Sequence, residues 1–368
     1  MMKLPLIEFP EDPWSRGVSH GMLLRHLIHS IFELQLDNIL SSPATRRRGV
    51  SSREDYLAYA QRYAGEAAAY SPMSWREIEG IANGCQLSTT HILALNIHLE
   101  MIDLANEMAP DDPHIAPGPE AGCTDFAIQR PHGMGCIIGQ TYDLRSFYEE
   151  AAFAYVTGVG GVTISGLSFA GVLAANGMNS AGFGVVINKL YGRDSRVGVP
   201  HPFILREALL QNTPGRSISM ILGAKRACSI HYLCGDEKGI LYPFETTAAQ
   251  WDLLDTDQDR TYVHTNHFIG PRFRDQETRD FRFFGAHTIV RLQRARQLLK
   301  ELGADKSPES YGSLLDDKHN YPLSICSCDD GAVKFATIAK AVFDIKARRV
   351  FFSRGQETLT EYDLPGRA

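Results

Sequence analysis

Residues 107–129 read EMAPDDPHIAPGPEAGCTDFAIQ, and the chain changes character inside them. The first part, Glu107 to Glu120, holds four prolines. Each proline fixes its own φ and pushes its predecessor towards extended geometry, so this part reads as an exposed, irregular loop. From Cys123 onward the pattern is that of a strand. CTDFAIQ and MGCIIGQTYDL read as two strands joined at Pro131-His-Gly133, a hairpin signal.

Upstream of this junction the signals are helical. Met22, Leu23, Leu27, Ile31, Leu34 and Leu36 recur at near-helical spacing between Val18 and Leu40. Ser51-Ser-Arg-Glu54 and Ser74-Trp-Arg-Glu77 both fit a capping box, and Ser88 or Thr89 is placed to cap a helix through HILALNIHLEMIDLA. Downstream, FAYVTGV, GVTISGLSF, GVLAANG and GFGVVIN read as further strands. Helices are expected at HPFILREALLQN, around SISMILGAKRA and from His287 to Leu302. Strands return at SIHYLCGD, GILYPFE and RTYVHTNHF, and IAKAVFDI and RRVFFSRG close the chain. Helices followed by a block of strands with helices packed on them predict an α+β fold, layered αββα, preceded by a helical segment.

Composition narrows the functional classes. The 368 residues carry a net charge of -6, so nothing resembles the basic footprint of a nucleic-acid binder. The densest basic run, Arg46 to Arg48, is short enough for a solvated loop. Ala151 to Asn188 has no charged residue, yet its eight glycines and its polar residues indicate a sheet covered on both faces rather than a membrane span. Seven cysteines and an N-terminus without an apolar signal core point to a reducing, cytoplasmic setting. The spacing of Cys326 and Cys328 does not fit a zinc site, and no metal or redox-cofactor motif is present.

Gly122-Cys123 carries the candidate chemistry. A thiol attacks only as thiolate and needs a base. A cysteine that begins a chain has one in its own α-amine, whose reference pKa is about 7.7–8.0. A cut after Gly122 would create that terminus. Glycine there would let the backbone take unusual angles at low cost. Taken alone, Gly-Cys-Thr also reads as a buried cysteine at the start of a strand.

The wider pattern favours the chemical reading. AGCTDF, GQTYDL, VHTNHF and HNYPLSIC occur in this order, with GIANG before them and NGMNSAG and GVPHPFILREAL between. Together they resemble the acyl-CoA:6-aminopenicillanic acid acyltransferases, or isopenicillin N acyltransferases, which are self-processing N-terminal-nucleophile hydrolases. The likeness runs from SRGVSHG near residue 15 to RRVFFSRG. It implies self-cleavage between Gly122 and Cys123 into segments 1–122 and 123–368 that stay together as one unit. It implies Cys123 as nucleophile, Asn266 as oxyanion-hole donor and Asp143 as the residue that supports processing. His267 is expected to be structural.

One departure stands out. Lys334 occupies the place where penicillin-forming members carry an arginine, three residues before Thr337, and is the candidate substrate or charge partner. The Cys123-to-Asp143 spacing is also longer than the family pattern, through the hairpin at Arg130 to Met134. The C-terminal LPGRA is not a peroxisomal tripeptide.

The partners implied are a small-molecule amide or acyl donor and an amine acceptor, with acyl-CoA as a compatible substrate despite the lack of a CoA motif. No nucleic acid or membrane partner is implied, and a homo-oligomer is compatible. Two alternatives stay open. One is a hydrolase of small N-acyl or β-alanyl amides that works without CoA. The other is a non-catalytic binding protein that keeps the fold.

Overall fold

The computed structural model describes residues 3–106, 122–256, 260–278, 285–304, 306–331 and 335–363. The expected loop at Glu107 to Glu120, Lys334 and the C-terminal LPGRA lie outside these residues.

Two sheets form the centre. The eight-stranded sheet runs β1 (Leu6–Glu8), β4 (Ala152–Val159), β5 (Val162–Phe169), β6 (Asn176–Asn179), β7 (Phe183–Lys189), β8 (Ile230–Asp236), β9 (Leu241–Thr246) and β10 (Trp251–Leu253). The six-stranded sheet runs β11 (Thr261–His264), β2 (Thr124–Gln129), β3 (Cys136–Arg145), β12 (Phe335–Asp344), β13 (Arg349–Arg354) and β14 (Thr360–Tyr362). Strands β2 and β3 lie against β7 and β8 of the other sheet. Gly184 and Gly235 allow this approach: a Cβ on Gly184 would meet Ile345 at 2.8 Å, and one on Gly235 would meet the Cys136 sulfur at 2.6 Å. Gln140 stitches the layers, donating to the Ile187 carbonyl at 2.8 Å and accepting from Asn176 at 3.1 Å.

Helices cover both outer faces. Among the described residues eight precede the junction: α1 (Pro13–Leu23), α2 (Arg25–Ser41), α3 (Pro43–Arg47), α4 (Arg53–Gln61), α5 (Ala64–Tyr70), α6 (Pro72–Cys85), α7 (Thr89–Asn96) and α8 (His98–Asn106). With α9 (His201–Leu209) and α10 (Pro214–Gly223) they belong to the eight-stranded side. On the six-stranded sheet, α11 (Ala286–Leu302) and α12 (Gly312–Leu315) bury Leu292, Ala295, Leu299 and Leu315 against Phe126, Ile128 and Ile137. The expected αββα layering is therefore the observed one. The uncharged stretch at 151–188 forms β4 to β7 inside it. Among the described residues no helix is long and apolar enough to cross a membrane.

The region before residue 122 is built into the sandwich. Its β1 pairs in parallel with β4 as an edge of the eight-stranded sheet. The Tyr362 hydroxyl, in the other sheet, donates to the Leu4 carbonyl at 3.0 Å. GIANG is the C-terminal part of α6, where Gly80 and Gly84 meet Gly17 and Gly21 of α1. A Cβ on Gly17 would lie 2.1 Å from the Glu77 carbonyl oxygen, so only glycine lets these backbones come so close. Glu77 takes Arg16 at 2.7 Å and Arg206 of α9 at 3.1 Å, all three buried.

Several local readings shift. The helix expected over Val18–Leu40 is two helices broken at Leu24, and the one after Ser88 breaks at Ile97. The cap of α6 is Ser71, whose side chain accepts from Ser74 N–H. Pro72 occupies the first helical turn, so Ser74 is inside the helix. In α4 the cap is Ser52 rather than Ser51. GVLAANG contributes only its end, to β6.

Candidate active site

Cys123 precedes β2 and is 5% exposed. Strand pairing brings β3 beside it. The Asp143 N–H donates to the Cys123 sulfur at 3.3 Å, and the sulfur lies 3.8 Å from the Asp143 carbonyl oxygen. The register between β12 and β3 slips between Thr337 and Ala339. Such a bulge re-aims a side chain, and here the Thr337 hydroxyl donates to Asp143 Oδ1 at 2.8 Å. Thr337 is fixed in turn by the Ser327 N–H at 2.9 Å. Ser327 directly follows HNYPLSIC, so that unusual string delivers support to Asp143 through Thr337.

The second carboxylate oxygen of Asp143, Oδ2, is buried with no hydrogen-bond partner among the described residues. It faces Gly122: a Cβ there would lie 3.0 Å from Oδ2 and 2.8 Å from the Phe335 ring. A glycine at this position leaves room for both side chains.

Asn266 follows β11 and is fully buried, unlike an ordinary turn asparagine. Its N–H donates to the Thr288 hydroxyl at 2.9 Å, and its amide Nδ2 donates to the Lys189 carbonyl at 3.1 Å. Its Oδ1 accepts from Arg291 of α11 at 2.9 Å. Arg291 also donates to the Cys123 carbonyl at 2.7 Å and the Thr124 hydroxyl at 2.9 Å. The Cys123, Asp143 and Asn266 expected from sequence thus form one buried group, linked by an arginine that sequence reasoning passed over. That arginine was detectable. It shares the inward stripe of α11 with Thr288, Leu292, Ala295 and Leu299, where a charge needs a buried partner. His267 places Nδ1 3.0 Å from the Thr288 hydroxyl.

Burial sets the electrostatics. It pushes the Cys123 thiol up to about 12, with the Asp143 charge adding to the effect and Arg291 opposing it. It raises the Asp143 carboxyl to about 6 against Arg291 and the Thr337 hydrogen bond. A protonated thiol therefore sits beside a carboxyl that titrates near neutrality.

A second polar cluster lies between the sheets. Asp125 accepts from Asn188 at 2.9 Å and sits 2.9 Å from His231 Nδ1. His231 stacks on His264 with centroids 3.8 Å apart. His264 has its two nitrogens 3.0 Å from Glu245 and 2.7 Å from the Thr265 carbonyl. Burial raises the Asp125 carboxyl well above its usual range and lowers His231 well below its own.

Comparison with known proteins decides the family. The family model described as acyl-coenzyme A:6-aminopenicillanic acid acyl-transferase matches residues 130–358, more than half of the chain. The chain belongs to the acyl-coenzyme A:6-aminopenicillanic acid acyl-transferase family. Within this acyl-transferase family it is similar to the 40 kDa form of acyl-coenzyme A:6-aminopenicillanic-acid-acyltransferase of Emericella nidulans. The two are 27% identical over 291 residues, covering 77% of this chain and 76% of the relative. The matched family segment contains Asp143, Asn266 and Arg291 and begins after Cys123. Among solved structures, penicillin V acylase from Agrobacterium tumefaciens is 13% identical with a TM-score of 0.41, covering 66% of this chain and 87% of that one. A variant of conjugated bile acid hydrolase from Clostridium perfringens is 11% identical with a TM-score of 0.46, covering 67% and 94%.

Proposed function

We propose that this acyl-transferase family member cuts itself between Gly122 and Cys123 and then works as a cysteine N-terminal-nucleophile enzyme through an acyl-Cys123 intermediate. One observation carries the reading: the oxygen of Asp143 that has no hydrogen-bond partner among the described residues is aimed at Gly122, while the same residue's N–H holds the Cys123 sulfur.

In the uncut chain the α-amine that later serves as base is tied up in the peptide bond. A thiol raised to about 12 is protonated at neutral pH, so it needs a proton acceptor as it attacks. Asp143, at about 6, is ionised at pH 7 and fills that role. The thiol proton passes to Asp143 as the sulfur bonds to the Gly122 carbonyl carbon. Asp143 returns the proton to the Cys123 nitrogen as the C–N bond breaks. Water then releases the Gly122 carboxylate and restores the thiol. In the mature enzyme the freed amine shuttles the proton.

Asn266 supports the oxyanion. The Lys189 carbonyl takes one of its two amide hydrogens, which leaves one for a developing O⁻. Substrate amide or thioester acylates Cys123. Water then gives amide hydrolysis, and an amine gives N-acyl transfer. The Emericella nidulans relative makes an acyl-CoA donor and an amine acceptor the first pair to try.

Denaturing electrophoresis with intact mass tests the reading. Wild-type protein should give two fragments, and Cys123→Ala one chain of 40.8 kDa. An uncut wild-type chain would sink self-processing. Purified protein given an acylated amine, with and without CoA and an acceptor, then separates hydrolysis from transfer.

A further inference from the structure

We propose that Arg291 is a positioning residue for both steps, holding Cys123 by its carbonyl oxygen and turning the Asn266 amide so that an N–H faces the reacting carbonyl. The inference rests on the reading of Cys123 as nucleophile.

A guanidinium donates and never accepts, and its fork is rigid. One nitrogen serves the Cys123 carbonyl at 2.7 Å and the Thr124 hydroxyl at 2.9 Å. The other serves Asn266 Oδ1 at 2.9 Å. Because the partner at Oδ1 can only donate, the amide of Asn266 has one permitted orientation. Its oxygen faces Arg291 and its nitrogen faces the Lys189 carbonyl. Without Arg291 only the acceptor carbonyl of Lys189 still favours this orientation, so the hold on the amide is weakened and its oxygen can turn towards the place where the oxyanion forms.

The other contact survives scission. The bond that breaks lies on the nitrogen side of Cys123, and Arg291 grips the carbonyl side. The nucleophile therefore keeps its register when its amine is released. Arg291 is itself fixed, 1% exposed on the inward stripe of α11, with Nε 3.3 Å from His287 Nδ1. A lysine at this position keeps the charge but cannot span Cys123 and Asn266 together.

The test uses Arg291→Lys in the full chain, with self-cleavage followed by gel and Cys123 acylation followed with p-nitrophenyl acetate. Loss of one oxyanion donor costs about 10²–10³ in kcat. Arg291→Lys should therefore lower kcat and slow self-cleavage by about 10–100-fold, with KM changed less than about threefold. The unfolding midpoint should stay close to that of wild type. In Arg291→Lys/Asn266→Ala the second change should add little, because both act on one amide.

Wild-type rates in Arg291→Lys, or a double variant reduced by the product of the single effects, would overturn the inference. Cys123→Ala runs alongside. If it still cuts itself, the nucleophile reading fails. If it is inert while Arg291→Lys matches wild type, only the role given to Arg291 falls.

Discussion

Two buried carboxylates in this molecule are treated in opposite ways. Glu77, in the N-terminal helical layer, is held by Arg16 and Arg206. Burial alone would raise its carboxyl, but Arg206 and Arg16 outweigh burial and keep it below the usual range. Asp143, near the end of β3 in the six-stranded sheet, has one oxygen satisfied by Thr337 and the other without a hydrogen-bond partner among the described residues. Burial wins there, and the carboxyl rises to about 6. A carboxylate saturated with donors is fixed as an anion and ties elements together. One left half-satisfied can exchange a proton at neutral pH.

The comparison is sharpest when each is neutralised. Glu77→Gln removes the anion from between two buried arginines and should cost about 3–5 kcal/mol in urea unfolding at pH 7. Glu77 has a depressed folded pKa, so its stabilisation is present above its unfolded value and is lost as pH falls through the folded one. The gap between Glu77→Gln and wild type should therefore narrow only in acid, below the usual carboxylate range.

Asp143→Asn should act with the other sign. Its folded pKa is raised, so its contribution is fully present below the unfolded value and is lost as pH rises through about 6. Measured in a Cys123→Ala background, so that both chains are uncut, Asp143→Asn should stabilise by up to about 3 kcal/mol at pH 8 and by much less at pH 4. Equal unfolding midpoints at both pH values would break the contrast. With Cys123 intact, Asp143→Asn should leave the chain uncut.

Gly122→Ala probes the space between the two partners of the junction. The added methyl would meet Phe335 and Asp143 at 2.8 and 3.0 Å. Because those are side chains that can shift, the cost should be about 1 kcal/mol. The larger effect should be slower appearance of fragments on a gel. A cut at the wild-type rate would show that the room at Gly122 is not used.

The layered fold was legible because the long strands carry hydrophobic runs bounded by glycine. Strands β1, β10 and β14 span three residues each, too few to show a period. The helix breaks at Leu24 and Ile97 carry no proline or glycine and follow from packing alone. Pro72 was the readable clue to the true start of α6, since proline belongs in a first turn. At the site, Cys123, Asp143 and Asn266 stood in recognisable strings. Thr337 depends on a register slip that no local pattern announces. Arg291 was hidden among Arg294, Arg296 and Lys300 of a basic, amphipathic helix, and stands apart from them only when the inward face is traced.

The edge strand β1 has a consequence for how often this protein can assemble. It pairs with β4 in one sheet while Leu4 is held by Tyr362 of the other. In the uncut chain that strand finds its place by closing a loop within one molecule. If the chain is cut after residue 122 as proposed, the same step becomes an encounter between two molecules. The first folding event would then be independent of concentration and every later one second order, so a cut molecule that lost its N-terminal strand in dilute solution would have no rapid way back.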